Sequence, residues 1–374
     1  MPVETTPQAI RKLLRAAVAS GLAPGFVACW GAPGEIWAEA WGWLGLGAGP
    51  TDPEAWYDLA SLTKPLVTTT LVLLAGRHGV RLEDPLHRFL PELAGSPWGG
   101  VSVAQCLTHT AGFPAWEPLY AQGLGARAYL DRLKAVAPSH RPGEAVNYSC
   151  LGFVALGLAL ERIGGASLPV LFHREVVRPL RLDTRVAFAP TLGVRVALGE
   201  LRLSVEARLC REHGLPCTPP PPLAGRWSCN DGNARGLGGA AGNAGLFGTA
   251  EGVFCLAQQY LAPFSSLLTA AEIELATKNW TPGMAQARGL GWQLAATPGC
   301  AAGGALPAEA FGHTGFTGTS LWVDPRRRAI LVLLGNRLHP GGQTPDLHPL
   351  RRRFHTLALR GLSPKTRPPS IVAV

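Results

Sequence analysis

A serine and a lysine three residues apart are the first candidates for chemistry. Ser61 and Lys64 open an apolar segment, SLTKPLVTTTLVLLAGR, that predicts a helix over 61–77. Pro65 fits only the first turn of a helix, so this helix begins at or just before Ser61. Residues i and i+3 share a helix face, and a lysine whose pKa is lowered by burial or nearby cations can take the serine proton. The alternative is a capping serine followed by a surface lysine.

Two further segments carry groups that could serve the same reaction. Tyr148 lies in the segment NYSC (147–150) before a helical pattern, and a tyrosine beside a cationic lysine can act as a phenolate base. The segment GHTGFTG (312–318) directly precedes a predicted strand, and its glycines allow another molecule to approach the backbone. Taken singly, such a tyrosine is typical of packing and such a segment of a turn.

The elements around these segments divide the chain between its ends and its middle. The pattern predicts a helix over 9–20 and two strands over 25–43 near the beginning, and a hairpin over 319–334 and a helix over 346–362 near the end. Helical patterns broken by Pro and Gly fill 82–180. We therefore expect one α/β domain built from both ends of the chain, with a helical region inserted between them.

Composition excludes several classes of protein. The 374 residues are 47% hydrophobic and 16% charged, which excludes global disorder. No run of 18 apolar residues and no leader pattern occur, so we expect no membrane partner and a cytoplasmic location. The eight cysteines form no C-x-x-C pair, which favours reduced thiols and gives no metal motif. The arginine triplets 326–328 and 351–353 predict a solvated turn and a solvated helix face, not a nucleic-acid footprint.

Together and in this order, SLTK, YSC and HTG resemble the three-motif plan of the serine β-lactamase and penicillin-binding-protein superfamily. The resemblance is closest to the class C type branch, which includes D-Ala-D-Ala carboxypeptidases and carboxylesterases, and it extends from about residue 9 to 362. It implies a β-lactamase-like α/β fold, an antiparallel sheet flanked by helices with an inserted mainly helical region. We place the α/β subdomain at 1–60 and 237–374 and the helical subdomain at 61–236. Five more segments carry the resemblance: DLA (58–60), LTHTAGF (107–113), DGNA (231–234) through LF (246–247), GLGW (289–292) and LGNR (334–337).

The resemblance also implies a role for each candidate residue. Ser61 would be the acylated nucleophile, Lys64 its proton partner and Tyr148 the general base and acid. Substrate would lie against an edge strand, and backbone N–H groups of Ser61 and Phe316 would form the oxyanion hole. No cofactor or metal is implied. The edge strand would consist of His313, Thr314 and Gly315.

Two departures from the family pattern bear on the substrate. Cys150 stands where the family has an Asn whose amide contacts a substrate acylamide, and His313 stands where a permanent lysine cation helps hold a substrate carboxylate. Both favour a carboxylic ester or small amide as substrate over a lactam. A β-lactamase or D-Ala-D-Ala carboxypeptidase is the alternative, and a degenerate binding protein is an alternative from another class. The intact set of Ser61, Lys64 and Tyr148 favours an enzyme, and the oligomeric state stays open.

Overall fold

A six-stranded antiparallel sheet forms the centre of the molecule. The computed structural model describes residues 5–212, 214–215, 218–341 and 344–362. The strands are arranged in the order β2-β1-β9-β8-β7-β6. Their bounds are β1 (Gly25–Ala32), β2 (Glu35–Gly42), β6 (Gln293–Leu294), β7 (Phe311–Thr314), β8 (Ser320–Asp324) and β9 (Ala329–Gly335). Both predicted hairpins are therefore confirmed, and they meet because β1 pairs with β9 in a register that sets Val27 opposite Leu334.

The outer face of this sheet is covered by the first and last helices. These are α1 (Thr6–Ala19) and α11 (His348–Arg360), which pack against each other. Alternation along β1 turns Phe26 and Trp30 toward them, and the ring of Trp30 lies edge-on to Phe354 at 6.5 Å between centroids. Full burial of an aromatic side chain of this kind contributes roughly 1.5–3 kcal/mol. The helices at the two ends thus close the same core.

The inner face of the sheet carries the helical region. Val27 and Cys29 of β1 point toward it and join a large apolar core. The fold class predicted above is confirmed, and the division into subdomains at 61–236 stays a prediction. The helices of this part are α2 (Ala60–Gly76), α3 (Val103–Leu107), α4 (Gly125–Ala135), α5 (Leu151–Gly164), α6 (Leu168–Leu180), α7 (Ser204–Glu212), α8 (Gly232–Gly236), α9 (Ala250–Gln258) and α10 (Ala270–Thr277).

A second, small sheet lies beside the start of α2. It consists of β3 (Tyr57–Asp58), β5 (Leu246–Gly248) and β4 (Val186–Phe188), in that order β3-β5-β4. The sequence analysis does not predict it, because strands of two or three residues are too short to show alternation. Since β3 ends two residues before α2, this sheet fixes where the helix begins.

The structure bears on two expectations drawn from composition, the state of the cysteines and the absence of membrane-spanning helices. Six cysteines are free thiols, whereas Cys210 is disulfide-bonded, so the prediction of reduced thiols is wrong for Cys210; Cys217 lies outside the described residues. Among the helices described, none alone is long and apolar enough to cross a membrane. Only α5 and α6 together reach the required length and composition, and they are bent by 71° relative to each other.

Candidate active site

Ser61 lies in the first turn of α2, on a backbone that the neighbouring elements constrain. Ala60, just before it, has a φ of 47°, in the left-handed region that costs a non-glycine residue of order 1–3 kcal/mol. The carboxylate of Asp58 accepts the N–H of Ala60 at 2.9 Å, and Thr63 Oγ1 donates to the carbonyl of Ala60 at 2.6 Å. The side chain of Asp58 therefore stabilises the turn that presents Ser61.

The three predicted catalytic side chains meet at one oxygen. Lys64 Nζ donates to Ser61 Oγ at 3.0 Å, and Tyr148 Oη donates to the same atom at 2.9 Å. Lys64 is fully buried. Its ammonium also donates to the carbonyl of Asn243 at 3.2 Å and contacts Cys150 Sγ at 3.4 Å. The interpretation of Ser61 as a cap and Lys64 as a surface residue is therefore wrong.

Charge within this cluster sets the resting protonation of its members. Burial lowers the pKa of Lys64, but its interactions with Cys150, Tyr148 and Asp231 outweigh that effect, so the pKa is raised. The condition named in the sequence analysis, a lowered lysine pKa, is thus not met at Lys64. Burial also raises the pKa of Tyr148, although Lys64 opposes the shift. At neutral pH, Lys64 is an ammonium and Tyr148 a phenol.

A carboxylate lies behind Lys64 and accounts for part of that shift. Asn243 Nδ2 donates to Asp231 Oδ2 at 2.9 Å, while the backbone carbonyl of Asn243 accepts from Lys64. Asp231 also caps α8 by accepting the N–H of Ala234 at 2.7 Å. Asn243 therefore bridges a half-buried carboxylate to the buried ammonium. The motif DGNA carries Asp231, but its position beside Lys64 depends on the fold.

A histidine of the motif LTHTAGF supports Tyr148. His109 Nδ1 accepts the N–H of Ser149 at 3.1 Å, and its ring lies 4.6 Å from the ring of Tyr148. Burial, with Arg288 and Lys64 nearby, holds the pKa of His109 well below its usual range, so the ring is neutral. The sequence analysis assigned no role to His109, although the motif was recognised.

The segment that begins with His313 forms a wall of the active-site cavity, close to the turn before Ser61. Gly315 N–H donates to the carbonyl of Thr319 at 2.9 Å, and a Cβ at Gly315 would lie 2.7 Å from the carbonyl oxygen of Leu59. Glycine is required there because the wall closely approaches the turn before Ser61. Thr319 Oγ1 donates to the carbonyl of Leu59 at 3.1 Å. Phe316 is 42% exposed at the pocket mouth.

The expectation of an edge strand needs a correction. In the sheet order, β7 is covered by β6, which pairs with Phe311 and Gly312. Only the end of β7, His313 and Thr314, extends beyond β6, because β6 has just two residues. His313 is buried, and burial together with the charges of Lys64 and Arg288 holds its pKa well below its usual range. Its ring is therefore neutral.

These groups open onto one cavity of about 710 Å³. Of the predicted site residues, all but Lys64 line it, and Lys64 lies directly behind Ser61. Within the described residues, no group of three or more His, Cys, Asp or Glu side chains could hold a metal ion. The lining predicted from sequence comprises Ser61, Tyr148, Cys150, His313, Thr314, Gly315 and Phe316.

Three arginines in the lining were missed by the sequence analysis. Arg288, Arg337 and Arg351 all border the cavity. The prediction of a solvated helix face is wrong for Arg351, which is 3% exposed and donates from Nη2 to the carbonyl of Thr319 at 2.9 Å. Only their positions hinted at a role, since Arg288 precedes GLGW and Arg337 ends LGNR. The pocket therefore contains permanent cations even though residue 313 is a histidine and not a lysine.

A helical region over an antiparallel sheet, with a serine, a lysine and a tyrosine at the cleft between them, defines a serine hydrolase of the β-lactamase-like fold. The family model described as Beta-lactamase matches residues 10–355, and the chain belongs to that family. It is 28% identical over 323 residues to "Putative D-alanyl-D-alanine carboxypeptidase" of Escherichia coli (strain K12), covering 78% of this chain and 71% of that protein.

Solved structures share the fold over nearly the whole chain. One is EstCE1, described as a hydrolase with promiscuous acyltransferase activity, with a TM-score of 0.72, 22% identity and coverage of 94% of this chain and 98% of that one. Another is a penicillin-binding protein homologue from Caulobacter crescentus, with a TM-score of 0.73, 22% identity and coverage of 96% and 98%. At this identity, the likeness establishes the fold.

Proposed function

We propose that this serine hydrolase cleaves small carboxylic esters through an acyl-enzyme on Ser61. One observation carries the proposal: Ser61 Oγ lies within 3.0 Å of both Lys64 Nζ and Tyr148 Oη. A serine hydroxyl becomes nucleophilic when a neighbouring base takes its proton, and two candidate groups are already within hydrogen-bond reach. Because both groups hold protons at neutral pH, the pair must first lose one proton to act as the base.

The reaction then follows in two balanced steps. In acylation, Ser61 Oγ attacks the ester carbonyl, its proton passes to the Lys64 and Tyr148 pair, and that proton leaves with the departing alcohol. In deacylation, the pair takes a proton from water, the hydroxide attacks the acyl carbon, and the proton returns to Ser61 as the carboxylic acid departs. By resemblance, the N–H groups of Ser61 and Phe316 stabilise the oxyanion of both tetrahedral intermediates.

Two groups favour an ester over a lactam. Cys150 offers only a weak S–H donor where a substrate acylamide would need an amide partner, and a desolvated, unpaired acylamide costs binding energy. His313 is neutral, as its lowered pKa requires, so residue 313 itself supplies no cation where the family's lysine would hold a lactam carboxylate. The fold neighbour EstCE1, described as a hydrolase with acyltransferase activity, supports the same choice.

A D-Ala-D-Ala carboxypeptidase is the second candidate. It is favoured by the name of the Escherichia coli relative, to which this chain is 28% identical. The two candidates are separated by comparing release of D-alanine from a D-alanyl-D-alanine peptide with hydrolysis of p-nitrophenyl butyrate. Peptide cleavage without ester hydrolysis would favour the carboxypeptidase.

The test of the nucleophile uses a fluorophosphonate probe and intact-mass analysis. We expect one adduct on the unmodified protein and on Ser20→Ala, whose serine lies at the end of α1, and none on Ser61→Ala. Ester hydrolysis should be lost only in Ser61→Ala. An adduct on another serine in Ser61→Ala would contradict the assignment, and no adduct on the unmodified protein would favour the binding-protein alternative.

A further inference from the structure

Arg288 is a buried cation in the wall of the active-site cavity. It borders the active-site cavity and is only 4% exposed. Its Nε donates to Gln286 Oε1 at 3.1 Å and its Nη2 donates to the same oxygen. Within the described part of the chain, it forms no ion pair with a carboxylate. A neutral amide oxygen therefore serves only two of the five N–H donors of a guanidinium.

This arrangement is costly unless something else binds there. A buried charge is expensive to desolvate, and buried charges in proteins are ordinarily paired. Burial lowers the pKa of Arg288 to about 10, which still leaves it cationic at neutral pH. The open donors thus lie at a cavity that admits substrate, and an anion on that substrate would satisfy them.

Arg288 lies close to the catalytic groups. Its guanidinium carbon lies 5.7 Å from the ring centre of Tyr148, whose hydroxyl contacts Ser61. The nearby His313 is neutral and supplies no competing charge. An anion bound at Arg288 would therefore lie beside the catalytic groups and within the reach of a small substrate.

A second arginine, Arg351, lies near His313 as Arg288 does, since both lower the pKa of that histidine. Arg351 is also buried; among the described residues its Nε has no hydrogen-bond partner, and its Nη2 donates to the carbonyls of Gly315 and Thr319. Asp346, which also borders the cavity, raises the pKa of Arg351 and of Arg337. Arg288 and Arg351 are thus two buried cations that border the same cavity.

We propose that Arg288, assisted by Arg351, determines specificity by binding a carboxylate on the substrate, on either the acyl or the alcohol side of the scissile ester. This inference rests on the proposed esterase function and names the class of ester. A guanidinium can bind a carboxylate with two parallel hydrogen bonds, which are stronger than neutral ones.

The test uses pairs of esters that differ only in charge. The first pair is the butyrate esters of 3-hydroxybenzoate and 3-hydroxybenzamide, which carry the carboxylate or its neutral amide on the leaving group. The second pair is the phenyl monoesters of glutaric acid and of its monoamide, which place the same difference on the acyl group. We expect kcat/KM to favour the carboxylate about tenfold or more in at least one pair, as for a hydrogen bond to a charged group.

The ratio within each pair is then compared between variants. Arg288→Gln should reduce the preference to within about threefold, and Arg288→Lys should keep part of it because the charge remains. Arg353→Gln is the matched control, since Arg353 is exposed on the same helix as Arg351. A preference unchanged in Arg288→Gln would overturn the assignment.

A measurement on the unmodified protein keeps the proposal falsifiable if Arg288→Gln does not fold. Glutarate and 3-hydroxybenzoate should inhibit hydrolysis of p-nitrophenyl butyrate more strongly than their amides, and added salt should weaken this difference. Equal hydrolysis of the carboxylate and amide esters, with equal inhibition, would refute anion recognition alone. Absence of any ester hydrolysis and of acylation at Ser61 would instead refute the proposed function.

Discussion

Replacing Tyr148 by Phe tests the proposed proton transfer most directly. The substitution removes one oxygen, which donates to Ser61 Oγ at 2.9 Å, and keeps the ring that lies 4.6 Å from His109 and 5.0 Å from Lys64 Nζ. Packing around the ring should therefore persist. A large loss of activity would therefore be due to the missing hydroxyl.

The size of the loss separates two roles for this hydroxyl. A hydrogen bond that only orients Ser61 is worth about 0.5–1.5 kcal/mol, so losing it lowers the rate about tenfold at most. A general base contributes about 10²- to 10⁴-fold, or roughly 3–5 kcal/mol. Because only Lys64 would then contact Ser61 Oγ, at 3.0 Å, we expect the larger loss in Tyr148→Phe.

The dependence on pH provides a second signature. Lys64 and Tyr148 both hold protons at neutral pH because their pKa values are raised, so acylation by the unmodified protein should accelerate as pH rises above 7. The charge of Tyr148 and its hydrogen bond help raise the pKa of Lys64. Removing them lowers that pKa, so the rising limb in Tyr148→Phe should move to lower pH.

The assay is the single-turnover release of p-nitrophenolate from p-nitrophenyl butyrate between pH 5 and 10. Tyr57→Phe is the matched control, because it removes a buried hydroxyl that bonds Thr51 at 2.9 Å outside the catalytic cluster. Its rate should stay close to that of the unmodified protein. A loss below tenfold in Tyr148→Phe, with an unmoved limb, would refute proton transfer by Tyr148.

Three further substitutions test other parts of the site. Asp58→Ala removes the acceptor that stabilises Ala60, so fluorophosphonate labelling should slow about tenfold or more while Asp58→Asn recovers part of the rate; equal labelling in all three proteins would exclude this positioning role. Burial raises the pKa of Glu206 to about 8, so the folded protein keeps a proton that the unfolded chain releases near pH 4.5, and stability should fall as pH rises through 8. Glu206→Gln should lack this fall in Tm between pH 5 and 9, and parallel Tm curves would contradict the assignment. Cys150→Asn combined with His313→Lys should shift the kcat/KM ratio of nitrocefin to p-nitrophenyl butyrate about tenfold or more toward the lactam, equivalent to about 1.4 kcal/mol, whereas an unchanged ratio would show that these positions do not select the substrate.

Features encoded within short segments could be predicted from the sequence. The spacing of Ser61 and Lys64, with Pro65 in the first turn, indicated both the helix and the shared face. Turn residues between two strand-forming runs indicated each hairpin, and the runs were long enough to recognise because each strand has five or more residues. Three motifs in a fixed order indicated the family, since each motif keeps its own residue pattern whatever the length of the loops between the motifs.

Features that depend on the approach of distant segments were decided only by the tertiary structure. The pKa of Lys64 is raised by Cys150 and Tyr148 and, to a smaller extent, by Asp231, all of which lie more than 80 positions away in the sequence. Arg351 reads as part of a solvated triplet, yet its guanidinium is buried against the carbonyls of Gly315 and Thr319. Local patterns fix which face a residue takes within its own helix or strand. Which charges meet across the cavity depends on long-range packing, which no local pattern records.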